Sequence, residues 1–147
     1  MINNLKTYTG GTFDVPHIGH AIFFEECKKF FPNSYLVVAL NTDEFVERYK
    51  GSKPLFSYKE REEYLKYISF IDEIVPNVGE EDSKITIMQE NPDVIIIGND
   101  WLDKDYCKQM GFSSGWLSDK KIALCYLPRY AIISTSLIKE RTIKSGK

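Results

Sequence analysis

Tyr35-Leu36-Val37-Val38-Ala39-Leu40 is the stretch that decides the fold. It is a continuous apolar, β-branched run with no polar alternation, which reads as a strand covered on both faces. A second run of the same kind, Val94-Ile95-Ile96-Ile97-Gly98, lies further along. Working outward, Leu5–Thr9 reads as a short strand ending at Gly10-Gly11. Ile18–Phe31 then sets Ile22, Phe23, Cys27, Phe30 and Phe31 at helical spacing, and Pro32-Asn33 stops it. After the first run, Asn41 or Thr42 caps a helix over Asp43–Tyr49. Gly51, Ser52 and Pro54 mark a loop, and Ser57 opens a helix to about Ile68 with Glu60 as its capping-box partner. Asp72–Pro76 is a short strand, and Asp82 or Ser83 starts a helix to about Glu90. Asp103–Trp116 reads as two short helices broken by Gly111 and Gly115. Ile122–Leu127 is a strand, and Ser134–Lys144 is a terminal helix with Lys139, Arg141 and Lys144 near its C-terminus, where cations suit the helix dipole. Strand, helix, strand, helix predicts an α/β fold in one domain over 1–147: a five-stranded parallel sheet in a Rossmann-like three-layer α/β/α arrangement.

Composition narrows the function. The 147 residues, 43% hydrophobic and 27% charged, suffice for a core without disulfides or structural metal. Nineteen Lys and Arg against 21 Asp and Glu give a net charge of −2, which leaves no basic excess to hold nucleic acid non-specifically. The apolar runs are too short to span a bilayer, and the first six residues carry no apolar signal-peptide core. Cys27, Cys107 and Cys125 form no CxxC pair and read as reduced thiols of a cytoplasmic protein.

In a parallel sheet, ligands bind beyond the carboxyl ends of the strands. That directs attention to 10–20, 41–42, 98–101 and 128–136. The only histidines, His17 and His20, fall in the first of these, three residues apart at the start of a helix. That spacing sets both rings on one side of the first turn. Gly19 between them removes a side chain where a ligand could approach. Two imidazoles at a helix N-terminus make a cradle for phosphate oxygens whose charge grows in a transition state. Read as half of a metal site, the pair needs ligands that no nearby Cys, His or paired carboxylate supplies. A plain surface polar pair is the remaining reading.

Gly11-Thr12-Phe13-Asp14-Val15-Pro16-His17-Ile18-Gly19-His20 resembles the GTFDxxHxGH signature of the cytidylyltransferase family, within the HxGH nucleotidyltransferase superfamily. Tyr35–Ala39 with Asn41–Phe45 resembles YLVVAxxTDEF, and Lys50-Gly51 with Glu60-Arg61 resembles the family's KG…ER pair. Gly98–Trp101 resembles GDDW, and Arg129 with Ile133–Ser136 resembles the ends of RTEGISTS. The resemblance runs from about Thr9 to Ile138 and is nearest in length to the small glycerol-3-phosphate cytidylyltransferases. It implies transfer of a nucleotidyl group from CTP to a phosphorylated alcohol, with pyrophosphate released and Mg²⁺ carried by the triphosphate. It also implies a homodimer. His17, His20, Lys50 and Arg129 are the catalytic residues it implies. Thr12, Phe13, Asp14, Gly19, Asp100, Trp101, Ser134 and Thr135 would bind the nucleotide, and Arg61 and Lys53 the acceptor. The sequence departs from the family at Tyr130-Ala131-Ile132, which replace Thr, Glu and Gly, and in a longer stretch over Leu102–Lys121. ATP in place of CTP, and a nucleotide-binding relative without turnover, stay open as alternatives. The acceptor stays open among glycerol 3-phosphate, phosphocholine, phosphoethanolamine and other phosphorylated alcohols or sugars.

Overall fold

A computed structural model of the chain describes residues 4–79, 83–98, 113–128 and 135–145. The strands are β1 (Lys6–Gly11), β2 (Tyr35–Asn41), β3 (Glu73–Asn77), β4 (Val94–Gly98) and β5 (Ala123–Leu127). They form one sheet in the order β3-β2-β1-β4-β5, with every pairing parallel. The helices are α1 (Ile18–Phe30), α2 (Asp43–Lys50), α3 (Tyr58–Leu65), α4 (Lys84–Glu90), α5 (Ser114–Asp119) and α6 (Thr135–Ser145).

Residue parity in the two apolar runs builds both sides of the core. Val37, Ala39, Ile95 and Ile97 face α4 and α5 through Ile87 and Leu117. Leu36, Val38, Leu40, Val94 and Ile96 face α1 and α3 through Phe24, Cys27 and Leu65. Each run is therefore buried on both faces, and the sheet lies between helical layers as the unbroken apolar pattern required. Pro76 is tolerated in β3 because that strand lies at the sheet edge, where a missing N–H costs no ladder bond.

The caps follow local chemistry. Thr42 Oγ1 accepts from the Phe45 N–H at 3.2 Å, and Gly51 closes α2 in the left-handed region at φ 82°. Ser57 and Glu60 form the expected capping box. α3 ends at Leu65, three residues earlier than the sequence suggested, and the chain continues in tighter turns from Tyr64 to Ile68. Gly115 lies inside α5 rather than breaking a helix. Ser113 supplies the N-cap there, which overrides a single glycine's weak preference. The rest of the 103–112 expectation lies outside the described residues. No helix among the described residues is long and apolar enough to cross a membrane.

Candidate active site

The strand order reverses beside β1, with β2 on one side and β4 on the other. The crevice for a ligand therefore opens at the carboxyl end of β1, where the histidine-bearing segment begins. Phe13 and Val15 are non-glycine residues with φ of 49° and 41°. Each such conformation costs on the order of 1–3 kcal/mol, so the surroundings must hold it in place.

Asp14 is the main clamp. It is 6% exposed. One carboxylate oxygen accepts from the N–H groups of Val15 (3.1 Å) and Phe56 (2.9 Å). The other accepts from the Leu55 N–H (2.8 Å) and from Lys139 Nζ (3.1 Å). Burial alone would raise its pKa. The N–H groups of Phe56 and Leu55, with the Lys139 charge, outweigh that and hold it below the ordinary value of 3.8. The sign follows from linkage: a carboxylate depressed on folding stabilises above 3.8, and the benefit is lost as pH falls through the folded pKa. Asp14→Asn is expected to cost about 1–3 kcal/mol near neutrality, because an amide N–H₂ meets two donors. Thermal melts of both proteins should show the gap narrowing below pH 3.8. A gap constant with pH would mean that the carboxylate charge plays no part.

Phe13 turns its ring inward against Phe24 (centroids 5.1 Å) and edge-on to His20 (5.4 Å, 86°). A Cβ on Gly11 would fall 2.8 Å from that ring, so the glycine leaves room for it. His17 is the N-cap of α1, and its Nδ1 accepts from the Gly19 N–H at 3.0 Å. That bond fixes the tautomer of the neutral ring, with the proton on Nε2. His20, 5% exposed, stacks on His17 with centroids 3.7 Å apart and planes at 28°. Because the His17 ring takes the Gly19 N–H, that backbone group is not open to an anion.

The other sequence-predicted residues are placed as follows. Thr12 is half-buried, and its Oγ1 accepts from Asn41 Nδ2 (3.1 Å) and lies 3.0 Å from the Tyr49 hydroxyl. Lys50 is exposed at the end of α2, 5.7 Å from the Tyr49 ring, and Lys53 is exposed in the following loop. That loop is tied to Asp14 through Leu55 and Phe56. Arg61, expected at the acceptor, is instead wholly buried. Its guanidinium donates to the carbonyls of Phe56, Thr12 and Asn41 and pairs with Asp43 at 2.7 Å. Asp100, Trp101, Arg129 and Ser134 lie outside the described residues, and Thr135 is described only as the first residue of α6.

Sequence reasoning missed Tyr49, Lys139 and Asn77, and it singled out Asn41 only as a strand-end position and possible helix cap. Lys139, expected near the helix C-terminus where a cation suits the dipole, stands instead in the N-terminal half of α6 and pairs with Asp14 across the fold. Among the described residues no group of three or more His, Cys, Asp or Glu is arranged to hold a metal ion. Burial pushes the Cys27 thiol up to about 12, so it packs as an apolar group and offers no thiolate nucleophile.

A parallel sheet of this order, carrying a paired-histidine turn where the order reverses, defines an α/β domain of the nucleotidyltransferase type. The cytidylyltransferase-like family model matches residues 8–141, and the chain belongs to that family. It is 38% identical to the glycerol-3-phosphate cytidylyltransferase of Bacillus subtilis (strain 168) over 136 residues, 92% of this chain and 95% of that one. It is 35% identical to the enzyme of the same name from Bacillus spizizenii, with the same coverage. Among solved structures, the lipopolysaccharide core biosynthesis protein from Thermoplasma volcanium matches with a TM-score of 0.67 and 23% identity. The match covers 88% of this chain and all of that one, and it supports the fold.

Proposed function

We propose that the chain is a cytidylyltransferase that joins CTP to a phosphorylated alcohol, with glycerol 3-phosphate as the first acceptor to test. The observation that carries this is the stacked His17–His20 pair at the carboxyl end of β1, in a chain so similar along its length to two glycerol-3-phosphate cytidylyltransferases. An acceptor phosphate oxygen attacks the α-phosphorus in line. A new O–P bond forms, the bond to the β-phosphate oxygen breaks, and pyrophosphate leaves. No covalent enzyme intermediate is needed, so catalysis is positioning and charge stabilisation.

His17 donates from Nε2 to the oxygens of the α-phosphoryl group, and His20 holds that ring by stacking. Thr12 donates its hydroxyl to a phosphate oxygen. Phe13 and Asp14 fix the loop, and Gly19 leaves space at the turn. Lys50 and Lys53 bring positive charge to the acceptor side. Arg129, Ser134 and Thr135 receive the far phosphates, and Asp100 with Trp101 the base. Arg61 enters as the group that holds the Thr12 carbonyl. Mg²⁺ arrives with the triphosphate as part of the substrate. A homodimer in the cytoplasm completes the reading.

The test is pyrophosphate release with Mg²⁺, each of the four nucleoside triphosphates and a panel of phosphorylated alcohols. Release with CTP and glycerol 3-phosphate is expected. Release with ATP alone overturns the base assignment. Calorimetric binding of a triphosphate with no release from any acceptor favours a relative without turnover.

A further inference from the structure

Behind Thr12 runs a buried chain of side-chain hydrogen bonds that reaches the far edge of the sheet. Asn77, the last residue of β3, is 2% exposed. Its Nδ2 donates to Asn41 Oδ1 (2.9 Å) and to Ser83 Oγ (3.1 Å), and its Oδ1 accepts from Thr86 Oγ1 (3.1 Å). Asn41, at the end of β2, then donates from Nδ2 to Thr12 Oγ1 (3.1 Å). The two asparagines are also fixed through their backbone groups. Asn77 lies opposite Asn41 in the β2–β3 register, and its carbonyl accepts from the Thr42 N–H. The Asn41 carbonyl accepts from Arg61.

The direction of donation matters. A primary amide has a donor end and an acceptor end, so each asparagine fixes the polarity of its neighbour. With Asn77 giving both its protons and Asn41 giving one onward, Thr12 Oγ1 is an acceptor on its inner side. Its own hydrogen is thereby kept for its outer side, where the Tyr49 hydroxyl stands 3.0 Å away. An ionised phosphate oxygen accepts and cannot donate, so only a hydroxyl of this polarity can bind it.

We propose that Asn41 and Asn77 are positioning residues that lock Thr12 as an outward hydrogen-bond donor to a nucleotide phosphate, with Tyr49 holding the same place when no phosphate is there. The proposal rests on the cytidylyltransferase reading of this turn. It adds two residues that touch no substrate and act only through Thr12.

The experiment is a double-mutant cycle read as calorimetric affinity for CTP, with turnover and melting temperature measured on the same proteins. Asn77→Asp removes both donations and presents an acceptor to Asn41. The Asn41 amide then turns over, and Thr12 donates inward to it. Affinity should fall about tenfold, the size of one hydrogen bond to a charged group. In a Thr12→Val background the same change should cost less than about twofold, since coupled residues are not additive. Equal losses in both backgrounds, or no loss in a folded Asn77→Asp protein, overturn the proposal. Should Asn77→Asp fail to fold, Asn41→Asp tests the same link directly, because it cannot donate to Thr12. Unchanged affinity there would mean that Asn41 serves Thr12 as an acceptor, the opposite polarity. Failure of the underlying reading looks different: wild-type protein that neither binds CTP nor releases pyrophosphate from it, which removes reading and proposal together.

Discussion

His17→Asn is expected to lower turnover by about 100- to 1,000-fold while leaving the fold intact, the loss typical of removing one preorganised donor from a transition-state anion. The substitution is chosen from the cap geometry. His17 does two things at once: Nδ1 accepts from the Gly19 N–H at 3.0 Å, and the same bond keeps the proton on Nε2. Alanine would remove both, and loss of the cap alone costs about 0.5–2 kcal/mol. Asparagine is among the best N-cap residues, and its side-chain oxygen can take over the bond to Gly19. The variant thus keeps the helix start and deletes the outward donor. Because the charge on the α-phosphoryl oxygens grows as the new bond forms, the loss should fall mainly on kcat and little on KM for the triphosphate. Steady-state kinetics alongside a thermal melt separates the outcomes. Turnover within about threefold of wild type would leave His17 as a helix cap and nothing more. His20 should be less separable, since its buried ring packs between His17 and Phe13 and its removal opens space beneath both.

The fold was legible because two runs, 35–40 and 94–98, carry no polar alternation, and only a parallel sheet under two helical layers buries such runs on both faces. The caps at Thr42 and Ser57 were legible because their chemistry is local. Gly115 misled because a glycine's helix penalty is small beside a good N-cap and the packing of Leu117. At the site, the histidine pair could be read from spacing alone. Asn41, Tyr49 and Lys139 could not, since each meets the turn through a tertiary contact across 29, 37 or 125 residues of sequence. Arg61 shows the same limit from the other side. It was expected at the acceptor from the family resemblance, and only the packing of α3 against β2 reveals that it is wholly covered.

Arg61→Ala is expected to destabilise the protein by about 3–5 kcal/mol, because a wholly buried long side chain is lost and the carbonyls it satisfies are left without a donor. The guanidinium satisfies three backbone carbonyls, those of Thr12, Asn41 and Phe56, and pairs with Asp43. Removing it leaves those acceptors facing a cavity. Three segments then lose their common tie: the turn after β1, the end of β2, and the loop before α3. Arg61→Lys should recover only part of the loss, because one ammonium cannot span the planar fork that four acceptors now share. Urea denaturation measures the stability, and the melting temperature of the alanine variant should drop by on the order of 10 °C. The two readings of this residue predict opposite patterns. A side chain that contacts the acceptor would, when truncated, raise KM for the acceptor with stability nearly unchanged. A buried tie would lower stability and, through the Thr12 carbonyl, disturb triphosphate and acceptor binding together. Stability within about 1 kcal/mol of wild type, with only the acceptor KM raised, would return Arg61 to the acceptor pocket. The absence of any exposed surface on its side chain argues for the other result.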